Sequence, residues 1–221
     1  MIKTALIVAG GLGKRMGGET PKQFLPLKDK PLLMWTISAF RALSDKIQIL
    51  IVLHPDIIEQ WKAVCHKYHF QTKHEIVEGG QERFDSVKSG LERVSDSGLV
   101  AIHDGVRPLV TERLIAESFQ LAEQYGSAVP VLPLNETLRE IKDGTGRLID
   151  RSNLFSVQTP QTFTSHLIKN AYRKSYKKEF TDDASVLEAM GESIHFFPGD
   201  PQNIKITRQQ DLELAERLVE I

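Results

Sequence analysis

A single cysteine, Cys65, stands in a chain of 221 residues, so no internal disulfide and no cysteine-built zinc site can form. Cys65 also falls at helical spacing with Ile57, Trp61, Val64 and Tyr68, which marks a core position rather than a nucleophile. Net charge is almost absent, 28 Lys and Arg against 29 Asp and Glu giving a formal −1. Without an excess of one sign there is no field to gather nucleic acid or an anionic membrane, and any anion site must be local. Long apolar runs are missing as well. The short run Thr4 to Val8 near the start is too brief for a signal peptide and far too brief to span a bilayer, so a cytoplasmic location is expected. Repeats, low-complexity stretches and linkers do not occur, and one domain over residues 1–221 is expected.

What is present begins where that run ends. Ala9 to Phe24 reads AGGLGKRMGGETPKQF, directly after a buried strand of a parallel sheet. Gly10, Gly11 and Gly13, after Ala9, let backbone N–H groups approach an anion closely. Lys14, Arg15 and Lys22 add mobile positive charge, and Pro21-Lys22-Gln23 follows in the same loop. A polyphosphate needs this combination, and open α/β sheets bind ligands at strand carboxyl ends. Two commoner phosphate loops fail here. A dinucleotide fingerprint would need glycine where Met16 stands, and a Walker A loop would need glycine at Val8 and Ser or Thr at Arg15. A glycine-rich surface turn with solvated lysines is the plain alternative.

Strand and helix patterns then alternate. Helices are predicted at Leu33 to Leu43, Ile57 to Tyr68, through Val87 and Leu91, and from Glu112 to about Tyr125 behind a Thr111 cap. Strands are predicted at Ile47 to Leu53, His74 to Val77 and Leu99 to Ile102. This order argues for an α/β fold with a doubly wound, mostly parallel sheet. Near residue 135 the pattern changes. Glu136 to Ile141 and Arg147 to Asp150 flank Asp143-Gly144-Thr145-Gly146, a hairpin signal, so a β-arm is expected over about residues 135–153. Phe155 to Thr159, helices near Ser165 to Tyr176 and Asp183 to Met190, a strand at Ile194 to Phe197 and a Thr207–Gln210 capping box complete the reading.

Further polar clusters end later strands. Asp104, in His103 to Pro108, could hold Mg²⁺ by one carboxylate, with Arg107 meeting a phosphate or locking Asp104 in a structural ion pair. Gly79, Gly80, Arg83 and Ser86 follow the third strand, where a glycine turn and a hydroxyl can read a base edge; a plain helix start is the alternative. Lys205 sits in an apolar run and should point into a polar cleft or reach out to solvent. Thr181 or Asp182 caps a helix.

AGGLGKRM with PKQF, EGGQERFDSV, HDGVRP, DRSNLFSVQTPQTF, FTDDAS and NIKIT fall in the order and spacing of 2-C-methyl-D-erythritol 4-phosphate cytidylyltransferases, which the chain resembles over almost its whole length. The resemblance implies the Rossmann-like nucleotidyltransferase fold, CTP and a polyol phosphate as partners, and Mg²⁺ as cofactor. It implies catalytic roles for Arg15, Lys22, Arg151 and Lys205 and nucleotide contacts from Gly80, Arg83, Ser86 and Asp104. It also implies substrate contacts from Arg107, Thr137 and Thr181, and a homodimer clasped through the arm. Gly10-Gly11 and Gly105-Val106 depart toward ribitol-5-phosphate cytidylyltransferase, whereas Asp85-Ser86-Val87 and Asp150 to Asn153 match the methylerythritol family. A non-catalytic nucleotide-binding protein on this fold is the alternative from another class, disfavoured because Arg15, Lys22, Arg151 and Lys205 are all present.

Overall fold

The computed structural model describes residues 1–11 and 20–219. In the amino-terminal half, β1 (Lys3–Val8), two short rungs β2 (Pro26–Leu27) and β3 (Lys30–Pro31), and α1 (Leu32–Leu43) lead to β4 (Gln48–Leu53). Then come α2 (Ile58–Lys67), β5 (Glu75–Glu78), α3 (Arg83–Leu91), β6 (Leu99–Asp104) and α4 (Glu112–Tyr125). The remainder holds β7 (Ser127–Pro133), β8 (Leu138–Lys142), β9 (Thr145–Ile149), β10 (Phe155–Val157) and β11 (Gln161–Thr164). It closes with α5 (Ser165–Ala171), α6 (Asp183–Glu188), β12 (Phe196–Pro198) and α7 (Gln209–Leu218).

The described residues form an eight-stranded sheet ordered β10-β7-β11-β6-β1-β4-β5, with β12 also on β7. β1 lies parallel between β6 and β4, and β5 continues the parallel side. Alternation along the strands builds two cores. Ala5, Ile7, Ile49, Ile51 and Ala101 face α1, α2 and α4 through Phe40, Trp61 and Phe119. Leu6, Leu50, Val52, Val100 and Ile102 face α3 and α5 through Val87, Leu91 and Ile168. Each fully buried Val, Leu, Ile or Phe among them contributes roughly 1.5–3 kcal/mol, and filling both faces gives the doubly wound arrangement. α4 shows how local chemistry sets limits. Thr111 Oγ1 accepts from the Leu114 N–H at 3.2 Å, and Gly126, at φ 85°, ends the helix in the left-handed region that favours glycine.

Two strands are not placed by the sequence reading, and one of its expectations changes. β7, whose apolar run contains Pro130 and which the sequence reading does not place, is the strand on which β10, β11 and β12 all pair. β11, short and with only Phe163 apolar, runs antiparallel to β6 and joins the two halves of the sheet. The last helix is capped by Asp211 rather than Gln210: its carboxylate accepts from the N–H groups of Thr207 and Arg208 and from the Thr207 hydroxyl at 2.8–2.9 Å.

The arm forms as a separate two-stranded ribbon, β8 on β9, turning through Asp143 and Gly144 at φ 50° and 78°. Its apolar residues divide between its faces. Leu138 opposes Ile149 on one side, while Ile141 and Leu148, 73% and 65% exposed, lie on the other.

Candidate active site

At the carboxyl ends of β1, β4, β5 and β6 the chain leaves the sheet at adjacent points. Ala9 N–H donates to Val52 O, Gly79 N–H to Leu53 O and Gly105 N–H to Val8 O, at 2.7–2.9 Å. Here glycine is a packing requirement. A Cβ on Gly80 would stand 2.3 Å from the Asp85 Cβ, and one on Gly105 would stand 2.8 Å from that of Ala9. The Gly80 N–H donates to Ser86 Oγ at 3.2 Å, which folds the glycine turn onto the start of α3.

Asp104 occupies the centre of this edge. Its Oδ2 is 3.0 Å from Lys205 Nζ and 3.3 Å from Arg107 Nε, and its Oδ1 is 3.9 Å from Arg83 Nε. Burial pushes this carboxyl up, but Lys205, Arg83 and Arg107 together outweigh burial and hold it well below the ordinary range. The sequence reading left Arg107 open between phosphate contact and a lock on Asp104. The geometry includes the lock: Arg107 also donates to the Asn203 carbonyl at 2.7 Å, joining the end of β6 to the segment that carries Lys205. Beneath them the Asp104 N–H donates to Thr159 Oγ1 at 3.1 Å, and Thr159 Oγ1 lies 3.0 Å from His103 Nδ1. His103 is fully buried, and burial lowers its pKa to about 4, so its ring is neutral near pH 7.

Arg83 is held on its far side by Asp183, which accepts from both guanidinium NH₂ groups. Gln161 fixes the start of α6 that bears Asp183, its Oε1 accepting from the N–H groups of Asp183 and Ala184. Tyr172 donates its hydroxyl to Asp183 at 2.6 Å; burial, with Asp183 alongside, raises that phenol well above its usual value. Asp182, not Thr181, is the helix cap, accepting from the Ser185 N–H at 3.0 Å.

The glycine loop is gripped from the other side. Lys22, Gln23 and Phe24 form one turn of 3-10 helix. A Cβ on Gly11 would lie 4.0 Å from the Lys22 Cε, so the Lys22 side chain runs beside the loop. Gln23, 1% exposed, donates to the carbonyls of Ala9 and Gly11.

The structure therefore brings together Ala9, Gly10, Gly11, Lys22, Gly80, Arg83, Ser86, Asp104, Arg107 and Lys205. Gly13 and Arg15 lie outside the described residues. Thr137 and Arg151 sit exposed at the base of the arm. Thr181 is exposed and lines a pocket of about 270 Å³ beside Arg83. Sequence reasoning missed Asp183, Gln161, Thr159 and Gln23 as parts of this site. All four lie inside the quoted motifs, but no spacing rule connects them to it.

The sequence model of the family described as 2-C-methyl-D-erythritol 4-phosphate cytidylyltransferase matches residues 3–221. The enzyme of that name from Bacteroides thetaiotaomicron is 45% identical, covering 99% of this chain and 100% of its own. Its namesake from Porphyromonas gingivalis is 46% identical over 97% of this chain and 96% of its own. The crystal structure of 2-C-methyl-D-erythritol 4-phosphate cytidylyltransferase from Thermus thermophilus superposes with a TM-score of 0.81 at 32% identity, covering 98% of each chain.

Proposed function

The chain belongs to the 2-C-methyl-D-erythritol 4-phosphate cytidylyltransferase family, and from the crevice around Asp104 we infer how it joins CTP and 2-C-methyl-D-erythritol 4-phosphate. The products are 4-CDP-2-C-methyl-D-erythritol and diphosphate, a step of non-mevalonate isoprenoid precursor biosynthesis. A phosphate oxygen of the alcohol phosphate forms a bond to the α-phosphorus of CTP. The bond from that phosphorus to the bridging oxygen breaks, and its electron pair leaves on diphosphate. The attacking oxygen is already anionic, so no general base is required; positioning and charge stabilisation carry the rate.

One observation carries this reading, the convergence of Lys205, Arg107 and Arg83 on Asp104 beside the glycine loop. Lys22 and Lys205, with Arg15, would neutralise charge that builds on the α-phosphate. Gly80, Arg83 and Ser86 would face the cytosine, with Asp104 toward the ribose and Arg107 and Thr181 on the substrate side. Among the described residues no group of three or more His, Cys, Asp or Glu could cage a metal. A single buried carboxylate fits Mg²⁺, which keeps several waters and is carried mainly by nucleotide phosphates. Asp104 would hold it, and the ion when bound would supply charge neutralisation on the phosphates.

The arm supports a homodimer. A lone two-stranded ribbon is marginal in water, and Ile141 and Leu148 leave an apolar face open on it. Arg151 and Thr137 at its base would then reach the site of a second copy. No helix among the described residues is long and apolar enough to cross a membrane, and a cytoplasmic site of action suits two water-soluble phosphate substrates. Diphosphate release from CTP and Mg²⁺ with each polyol phosphate tests the assignment. A kcat/KM favouring methylerythritol phosphate is expected, and one favouring ribitol 5-phosphate would overturn it.

A further inference from the structure

Gln23 sits between Lys22 and Phe24 in the turn that follows the glycine loop, and nothing in the reaction requires a carboxamide there. Its nitrogen lies 2.7 Å from the Ala9 carbonyl oxygen and 3.1 Å from that of Gly11. A carboxamide nitrogen carries two protons, and two loop carbonyls accept from it. Ala9 is fixed from behind, its own N–H bound to Val52 O at 2.9 Å in the sheet. Within a planar trans peptide the N–H points opposite to the C=O. Drawing the Ala9 carbonyl toward Gln23 therefore turns the Gly10 N–H away from it, so Gln23 sets the polarity of the loop's first peptide.

The turn bearing Gln23 is anchored independently. The Phe24 N–H donates to Pro21 O at 2.8 Å, and the Phe24 ring stacks on the fully buried Trp61 at 5.5 Å between centroids. The Trp61 indole N–H in turn donates to His74 Nε2 at 3.1 Å.

We propose that Gln23 is a positioning residue for the triphosphate, clamping the Ala9 and Gly11 carbonyls so that the Gly10 N–H faces the anion. The proposal rests on the reading of this loop as the nucleotide site. Gln23→Met keeps the side chain's length and removes both donors. Loss of two neutral hydrogen bonds that align the loop should raise KM and Kd for CTP about tenfold. The KM for methylerythritol phosphate should stay within about twofold, since the proposed site assigns that substrate to Arg107 and Thr181 rather than to the carbonyls Gln23 holds. Gln23→Glu, an acceptor facing two acceptors, should raise the CTP constants further. Phe24→Leu loosens the anchor without touching the carboxamide, and should lower Tm while leaving the CTP constants within about twofold.

Calorimetric titration of CTP with Mg²⁺ into folded protein reads Kd whether or not the variant turns over. Unchanged CTP constants in Gln23→Met, or an equal rise in Phe24→Leu, would overturn the proposal. Wild-type protein that neither binds nor uses CTP would instead overturn the reading beneath it.

Discussion

The Arg83 guanidinium makes a two-pronged contact with the Asp183 carboxylate, at 2.8 and 2.6 Å, across 100 residues of sequence. Asp183 is fully buried, and about a third of the Arg83 side chain is exposed. The pair fixes α6 to the start of α3 and holds Arg83 with its Nε toward Asp104. Such geometry is the planar fork that arginine supplies and lysine does not.

Removing the charge should therefore cost stability as well as alignment. Asp183→Ala is expected to destabilise by about 2–4 kcal/mol, discounted from a fully enclosed pair because Arg83 reaches solvent. Urea denaturation checks the value. A change below about 0.5 kcal/mol would place the pair among contacts of no consequence.

Acid stability should depend on His103. Burial lowers its pKa to about 4 from 6.5, so the folded state binds fewer protons than the unfolded one between those values. Stability falls as pH drops from about 6.5 to about 4, by roughly 3 kcal/mol from this residue alone. Asp104 acts in the same direction over a lower pH window. Its depressed pKa contributes stability above the unfolded carboxylate value near 4, lost only as pH falls further. Denaturation curves from pH 7 to pH 4.5 should show the first slope in wild type and lose most of it in His103→Gln. An unchanged slope would assign the effect elsewhere, His74 being the other histidine lowered by burial.

Local signals were readable in the chain where one segment contains its own explanation. The β1 run, the Thr111 cap and the Asp143-Gly144 turn all formed as expected. Readings failed where a distant partner decides. Ser127 to Pro133 is a strand only because β10, β11 and β12 supply hydrogen bonds that its own sequence, broken by Pro130, does not advertise. Arg83 and Asp104 were legible as candidate site residues because they follow strand ends, whereas Asp183 looked like the start of a helix. Gln23 stood in a quoted motif, yet its task depends on carbonyls 14 and 12 residues upstream.

The arm prediction is tested by mixing chains. If Arg151 acts in a neighbour's site, Arg151→Ala and Lys22→Ala chains each assemble inactive dimers. Their mixture contains dimers with one site that has both residues. Activity should reappear on mixing. A monomer in sedimentation, or no recovery after proven subunit exchange, would remove the shared site.

The central claim, that the crevice between the glycine loop and Asp104 performs cytidylyl transfer, meets its most direct test in Lys22→Ala. Lys22 lies on a one-turn segment held by its neighbours Gln23 and Phe24, so its side chain can be removed with the turn in place. Steady-state diphosphate release from CTP and methylerythritol phosphate should show kcat lowered about 10²–10³-fold, the cost of losing one preorganised donor to a developing charge. Tm should stay within a few degrees of wild type. Normal turnover by a folded Lys22→Ala protein would contradict the account.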